Sequence, residues 1–261
     1  MLEPFPDESV HGAVTLVALP GLGRNARSFP PTALSSVKSC SVRILCADYG
    51  NATHSIQAMA YRVWEDLDHA DLLQPVVLMG YSMGGFVAQC MYSQQPARVR
   101  GIAFVSTTAP TVEHIGDFVG NIGQPKDAWV EQIRLKLKRA GAPEAYLREL
   151  LDVNVSSRVS KEEYRRHTVA IIAYIVSGVA PQKVAKITCP TLLLYGDRDK
   201  VIRPEAVHRL GTMLVRSSVT EIVIPGVSHY IMAEAPMEFG ACMRSWLTRT
   251  GLCRPSVLLG H

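Results

Sequence analysis

Ser82 lies in the pattern Gly-x-Ser-x-Gly, which runs from Gly80 to Gly84. The apolar residues 76–79 before it predict a buried strand, and residues 86–92 after it predict a helix. A serine on a sharp turn between a strand and a helix is raised above the sheet, and the two glycines let the strand and the helix approach closely. The free N–H groups at the helix start favour an anion beside the serine. The pattern therefore predicts that Ser82 is a nucleophile.

A serine hydroxyl needs a base that takes its proton, and the base needs an acid that orients it. Two later loops offer these groups, and each follows an apolar run that predicts a strand. The first loop contains Asp197 and Asp199, and the second contains His229. Because the carboxyl ends of parallel strands meet at one edge of a sheet, we expect these side chains to converge near Ser82. Both aspartates are candidates for the acid.

The positions of the other seven histidines do not indicate a catalytic role. Five lie in polar or mixed helical stretches, where surface histidines are common: His54, His69, His114, His167 and His208. His11 and His261 lie near the termini, where disorder concentrates. His229 differs because its loop follows a predicted strand, and a neutral imidazole there can take the serine proton and return it to the leaving group.

These motifs together resemble the serine-nucleophile branch of the α/β-hydrolase superfamily, and the resemblance covers nearly the whole chain. The stretch from Gly196 to Pro204 is similar to the family's acid loop, in which the last acidic residue of Gly-x-x-Asp belongs to the triad. The run after His229, which contains Glu-x-Pro, is similar to the family's histidine loop. The resemblance implies a triad of Ser82, Asp199 and His229, with Asp197 as the alternative acid. Dehalogenases and epoxide hydrolases of this fold use an aspartate nucleophile, which Ser82 argues against.

The family's loop after the first strand usually reads His-Gly-x-x, and the residue after the first glycine donates its backbone N–H to an oxyanion. The resemblance implies that the backbone N–H groups of Leu22 and Met83 form the oxyanion hole. Pro20 stands where the histidine is expected, and so it removes a side chain that normally packs beneath the loop. The glycines at 21 and 23 also resemble part of a dinucleotide fingerprint, but Ala26 replaces the third glycine, which makes a nicotinamide enzyme a weak rival.

The rest of the chain predicts an α/β sheet. Apolar runs alternate with helical spacing, as at 53–70, and such alternation with right-handed crossovers produces a mostly parallel sheet flanked by helices. With 261 residues and 48% hydrophobic content, the chain can bury one large core. The first dozen residues are too few and too polar for a full antiparallel hairpin, so we expect it to be absent or reduced to one edge strand.

About eighty residues separate residue 110 from the strand at 191, far more than an ordinary connection. Three stretches within them have helical patterns: 127–140, 143–153 and 161–176. An insertion at this point is where the family carries its cap over the serine. The resemblance therefore implies a core domain of residues 1–110 and 187–261 and a helical cap of residues 111–186.

Two apolar patches on the predicted cap helices are expected mainly to bury the cap on the core, with some members lining the substrate pocket. The first comprises Trp129, Val130, Ile133 and Leu137. The second comprises Ile171, Ile172, Tyr174 and Ile175. A basic run favours a solvated face over a site for an acidic substrate: Arg134, Lys136, Lys138 and Arg139.

Composition excludes several functions. A net charge of +4 without clustered Lys/Arg and interleaved aromatic residues argues against nucleic-acid binding. No apolar run reaches the length of a membrane span, and the acidic N-terminus does not resemble a signal peptide. The six cysteines show no Cys-x-x-Cys spacing, so no zinc site is expected, and they read as reduced thiols of a cytoplasmic protein.

The mechanism that the resemblance implies is acyl transfer to water through an acyl-enzyme on Ser82, without a metal or an organic cofactor. The partner is a small-molecule ester, of small or medium size and apolar. Lactone, thioester and carbon–carbon bond hydrolysis are alternatives on the same fold. The elbow is also similar to those of perhydrolases and of a menaquinone-pathway synthase, but Phe86 stands where that synthase normally has an arginine. The alternative of another class is a non-catalytic receptor that binds a small molecule in the capped pocket.

Overall fold

The structure, a computed structural model, describes residues 2–4, 14–37, 42–111 and 126–253. Within these ranges the strands form one seven-stranded sheet in the order β1-β3-β2-β4-β5-β6-β7. The strands are β1 (Leu2–Pro4), β2 (Val14–Leu19), β3 (Val42–Ala47), β4 (Val76–Tyr81), β5 (Val99–Val105), β6 (Thr191–Gly196) and β7 (Val219–Ile224). Neighbouring strands from β3 across to β7 are parallel.

Helices connect and flank these strands. In chain order they are α1 (Pro31–Val37), α2 (Ile56–His69), α3 (Met83–Gln94), α4 (Lys126–Arg139), α5 (Glu144–Ser156), α6 (Lys161–Val176), α7 (Ala180–Val184), α8 (Pro204–Met213), α9 (Ile231–Glu234) and α10 (Pro236–Arg249). Two short 3₁₀ turns lie at Ala26–Ser28 and Pro96–Arg98. The predicted α/β fold with a mostly parallel sheet is confirmed.

The sheet separates two hydrophobic clusters. One contains buried side chains of α2, α3 and α8 on one face of the sheet, and the other contains those of α1 and α10. Every residue of β4 and β6 is buried, as expected for strands that helices cover on both faces. Of the N-terminal segment, the described residues contain one edge strand, β1, which pairs antiparallel with β3.

Helix α2 illustrates how local sequence specifies these elements. The Ser55 side chain caps its start by accepting the Ala58 backbone N–H at 3.0 Å. The residues at the predicted helical spacing are all buried: Ile56, Met59, Ala60, Val63, Trp64 and Leu67. The amphipathic pattern therefore orients the helix against the sheet, as the sequence predicts.

The long connection between β5 and β6 is helical where it is described, from α4 to α7. Ile171, Tyr174 and Ile175 of α6 belong to the same hydrophobic cluster as α2 and α3. Helix α6 is thus part of the main core, as expected for most of the second apolar patch. Residues 112–125 and the Trp129 side chain lie outside what the structure describes, and the boundaries of the proposed cap remain a prediction.

Two further features bear on the sequence analysis. In the described ranges, no helix has both the length and the hydropathy needed to cross a membrane. The five cysteines in those ranges are free thiols, and Cys40 lies outside them. Burial raises the pKa of the Cys90 thiol to about 11, as expected for a thiol that packs in the core.

Candidate active site

Ser82 occupies the turn between β4 and α3. Its backbone has φ 52° and ψ −119°, a conformation that side-chain-bearing residues rarely adopt. The strained turn is held on both sides, because the Ser82 N–H donates to Val105 O at 3.0 Å and Thr107 Oγ1 donates to Ser82 O at 2.7 Å. The surrounding structure thereby stabilises a conformation that an isolated chain would avoid.

The two glycines of the pattern are required by close packing. A Cβ at Gly84 would lie 2.0 Å from Leu19 O, and a Cβ at Gly80 would lie 2.6 Å from Gly84 O. The absence of side chains lets α3 approach both its own strand and the end of β2. This packing places the N-terminus of α3 beside the loop that follows β2.

The structure brings together the three side chains that the resemblance selected. His229 Nε2 lies 3.1 Å from Ser82 Oγ, and His229 Nδ1 lies 2.8 Å from Asp199 Oδ2. All three residues are buried, with Asp199 3% exposed. With the ring proton on Nδ1, the imidazole donates to the carboxylate and accepts from the serine hydroxyl, which is the arrangement that a serine nucleophile needs.

The two aspartates have different partners. Besides His229, Asp199 accepts the backbone N–H groups of Val201 and Ile202 at 2.8 and 2.9 Å. Asp197 is exposed, and its carboxylate accepts the Gly226 N–H at 2.6 Å. The structure therefore places Asp199, and not Asp197, against the imidazole.

The loop that carries His229 is fixed from several sides. Tyr81 Oη donates to His229 O at 3.2 Å, and the two rings lie 5.3 Å apart. Glu234 accepts the Ser228 N–H at 3.0 Å and also the Ser228 hydroxyl. Lys136 of α4 donates to Gly226 O at 2.9 Å and pairs with Glu234 at 2.5 Å. Lys136 is exposed, as expected for a solvated face, and its ammonium group also contacts a carboxylate and a carbonyl of the histidine loop.

The loop after β2 lies against the serine. A Cβ at Gly21 would be only 3.3 Å from the Ser82 Cβ, so the peptide that leads to Leu22 runs beside Ser82. Met83 is the first residue of α3, and its N–H is one of those without a partner inside the helix. Tyr49 Oη donates to Pro20 O at 2.9 Å, so a buried phenol supports the loop where the family's histidine is expected.

The insertion also holds this loop. His167 of α6 accepts the Gly23 N–H on Nδ1 at 3.1 Å and is fully buried, so its expected place on the surface is wrong. Arg24 donates to Asn154 O, Asn154 Oδ1 and Ser157 Oγ at 3.0, 2.8 and 2.8 Å. No local pattern distinguished His167, Arg24 or Tyr49, since their partners are distant in the chain.

Two cavities lie next to these loops. The smaller, about 70 Å³, is apolar, with a lining that includes Tyr81, Val130, Leu150, Tyr230 and Met232. The larger, about 460 Å³, reaches His229 and is lined by α4, the acid loop and the histidine loop. Ile133 and Tyr230 line both. Burial raises the pKa of Tyr230 to about 12, although the nearby Arg24 charge opposes this shift, so its phenol stays protonated at neutral pH.

Comparisons with known proteins agree with this architecture. The sn-1-specific diacylglycerol lipase ABHD11 of Mus musculus is 25% identical over 255 residues, which cover 89% of this chain and 80% of that protein. A thermophilic esterase from Thermogutta terrifontis superposes with a TM-score of 0.71 at 16% identity, covering 96% of this chain and 93% of that one. A carboxylesterase structure from Nitrososphaera gargenis has a TM-score of 0.71 at 18% identity, covering 97% and 95%.

At these identities, the similarity to the two solved structures shows only that the fold is shared. The sequence itself shows the family, because the model of the alpha/beta hydrolase family matches residues 4–241. That match includes the strand–turn–helix around Ser82 and both loops that face it. The chain belongs to the alpha/beta hydrolase family.

Proposed function

We propose that the protein is a serine hydrolase that cleaves a carboxylic ester-type bond through an acyl-enzyme on Ser82. The observation that carries this proposal is the continuous contact from Ser82 Oγ to His229 Nε2 and from His229 Nδ1 to Asp199 Oδ2. A neutral imidazole between a hydroxyl and a carboxylate can accept the serine proton, and the carboxylate stabilises the imidazolium that forms.

The proposed acylation has two proton transfers, the first from Ser82 to His229 and the second from His229 to the leaving group. His229 Nε2 takes the Ser82 proton while Oγ bonds to the carbonyl carbon, and the carbonyl oxygen becomes an oxyanion. The backbone N–H groups of Leu22 and Met83 are proposed to bind this oxyanion. The tetrahedral species collapses when the carbon–leaving-group bond breaks, and the imidazolium protonates the departing atom.

Deacylation repeats these steps with water. His229 removes a proton from water as its oxygen attacks the acyl carbon, and the ester bond to Ser82 then breaks. The imidazolium returns its proton to Oγ, which restores the serine and releases the acid. Every proton passes through His229, so no metal or organic cofactor is required for this route.

The two cavities suggest which part of the substrate binds in each. We assign the small apolar cavity beside Tyr81 to the acyl chain, because an apolar lining of this size favours a short hydrocarbon group. We assign the larger cavity to the leaving group, because it contains His229, which must protonate that group. Lactones and thioesters fit the same mechanism and belong in the same assay.

The test is hydrolysis of aryl esters of graded acyl length, beside lactone and thioester panels, by the parent and by Ser82→Ala. Ser93→Ala is the matched control, since Ser93 is exposed on the same helix, α3. We expect Ser82→Ala to lose about 10³-fold or more in kcat and Ser93→Ala to keep the parent rate. A receptor would instead bind a panel compound equally well in the parent and in Ser82→Ala, with no turnover by either protein.

A further inference from the structure

We propose that the larger cavity is an anion site, and that the leaving half of the substrate carries a negatively charged group such as a carboxylate or a phosphate. The inference rests on the proposed function, because it names the class of the leaving group that His229 protonates. It also differs from the sequence-based expectation of a small or medium apolar substrate.

The position of the cavity assigns it to the leaving half. Its lining includes His229 itself, Ser228 beside it, and Arg198, Lys200 and Val201 of the acid loop. A leaving atom must lie within hydrogen-bond reach of His229 Nε2 to receive its proton. Groups attached to that atom therefore extend into this cavity, which has a volume of about 460 Å³.

The charges on the cavity wall are unequal. Three cationic side chains line it, Lys136, Arg198 and Lys200, and Glu234 is the one acidic residue among the described residues that do so. The Glu234 side chain is only 2% exposed, and Lys136 neutralises it at 2.5 Å. The acid is thus fully engaged and adds no free negative charge to the cavity.

Arg198 and Lys200 are the remaining charges. Both side chains are exposed, and among residues 2–4, 14–37, 42–111 and 126–253 no carboxylate lies within ion-pair distance of either. Their charges flank Asp199, whose own carboxylate is turned inward to His229, Val201 and Ile202. Two uncompensated cations therefore face the space that the leaving group would occupy, and they attract an anion there.

The smaller cavity has no comparable free cation among the described residues. Arg24 lines it, but Asn154 and Ser157 of the insertion engage the guanidinium. The acyl side is thus mostly apolar, with the Arg24 guanidinium held by neutral acceptors, whereas two exposed cations line the leaving side. This asymmetry favours a substrate with a short apolar acyl group and an anionic alcohol, phenol or thiol.

The test compares para-nitrophenyl butyrate with the same ester that bears a carboxylate on the nitrophenyl ring. The variant is Arg198→Glu/Lys200→Glu, and the readout is the ratio of kcat/KM for the charged ester to that for the neutral ester. Lys186→Glu/Arg216→Glu is the control, because it makes the same charge change at exposed residues near the starts of β6 and β7, at the opposite edge of the sheet.

We expect the parent to prefer the charged ester at low ionic strength and to lose this preference as salt screens the cations. The cavity variant should lower the ratio by about tenfold or more, as expected when two cations near an anion are reversed in sign. The control should keep the parent ratio. Equal ratios in the parent and the cavity variant, or equal losses in both variants, would overturn the proposal.

A binding experiment tests the anion site independently of the hydrolase assignment. Calorimetry with Ser82→Ala measures the affinity for the carboxylated nitrophenol, with and without Arg198→Glu/Lys200→Glu. Loss of binding in the cavity variant supports the anion site even if no ester is turned over. Turnover of the neutral ester without any binding of this anion supports the hydrolase assignment and refutes the anion site.

Discussion

Hydrogen bonds explain why Asp199, and not Asp197, contacts the imidazole of His229. Asp199 Oδ1 accepts the N–H groups of Val201 and Ile202, which leaves Oδ2 to face His229 Nδ1. Asp197 instead accepts the Gly226 N–H and stabilises the turn that leads to the histidine loop. Sequence pattern alone left both residues open, and the resemblance to the family separated them.

The same contacts predict the effect of amide substitutions. In Asp199→Asn, the two backbone N–H groups hold the amide oxygen in place of Oδ1, so the amide N–H₂ group points at His229 Nδ1. The imidazole must then carry its proton on Nε2 and cannot accept one from Ser82. We expect kcat to fall on the order of 10³- to 10⁴-fold, as for wrong-tautomer variants of other triads.

Asp197→Asn is the matched control, because the amide oxygen can still accept the Gly226 N–H. We expect a rate close to that of the parent. Both variants should be assayed with a butyrate ester after thermal unfolding has established that each is folded. A crippled Asp197→Asn with an active Asp199→Asn would show that the acid has been misassigned.

Among the elements of the fold, the turn between β4 and α3 that carries Ser82 stores backbone strain. Residues with a Cβ at the Ser82 conformation bear a cost of about 1–3 kcal/mol, whereas glycine tolerates it but loses about 0.5–1 kcal/mol of chain entropy. We therefore expect Ser82→Gly to be more stable than Ser82→Ala by about 1 kcal/mol, with both variants inactive. Urea unfolding of the pair measures the difference. Equal stabilities would mean that the strain only matches the entropy cost of glycine, about 0.5–1 kcal/mol, and is smaller than expected.

The loop after β2 depends on an element that is distant in the chain. His167 Nδ1 accepts the Gly23 N–H across 144 residues of sequence, and Arg24 adds three hydrogen bonds to α5 and the residue after it. Leu22 lies between these anchors and Gly21. The insertion therefore holds the loop that carries the proposed oxyanion donor.

Two substitutions at His167 test this positioning role. The Oδ1 of Asn can replace Nδ1 as the acceptor, whereas the Oε1 of Gln lies farther along the side chain. We expect His167→Asn to keep most of the parent kcat and His167→Gln to lose as much as about 10²-fold, because displaced catalytic groups are costly. The loss should fall on kcat more than on KM. Equal kcat losses in the two variants would point to a general packing defect.

At the scale of the whole molecule, the insertion and the sheet share one core. Ile171 of α6 is fully buried in the cluster that contains α2 and α3, whereas Val169 on the same helix is 62% exposed. We expect Ile171→Ala to lower the free energy of unfolding by about 2–5 kcal/mol and Val169→Ala to change it little.

The unfolding transition should remain single in Ile171→Ala, because the buried cluster spans both parts of the chain. Circular dichroism and tryptophan fluorescence during urea unfolding provide two probes. A separate early transition of the helical insertion, with the sheet still folded, would contradict a shared core.

Short-range patterns were sufficient for much of the fold and of the candidate site. Ser82, Asp199 and His229 each lie just beyond a strand whose apolar run is visible in the sequence, so parallel pairing brings them to one edge. His167, Arg24 and Tyr49 could not be recognised in this way, because each acts through a partner far away in the chain. The side-chain positions of these partners depend on packing that no local period encodes.

Covalent labelling with an alkyl fluorophosphonate, followed by mass mapping of the modified peptide, tests whether Ser82 is the nucleophile. We expect one adduct, on Ser82, which forms much more slowly in His229→Ala because no base removes the serine proton. Ser82→Ala should remain unlabelled, and labelling of the parent should abolish ester hydrolysis in proportion. An adduct on another residue, or full hydrolysis by a parent protein labelled at Ser82, would rule out Ser82 as the nucleophile.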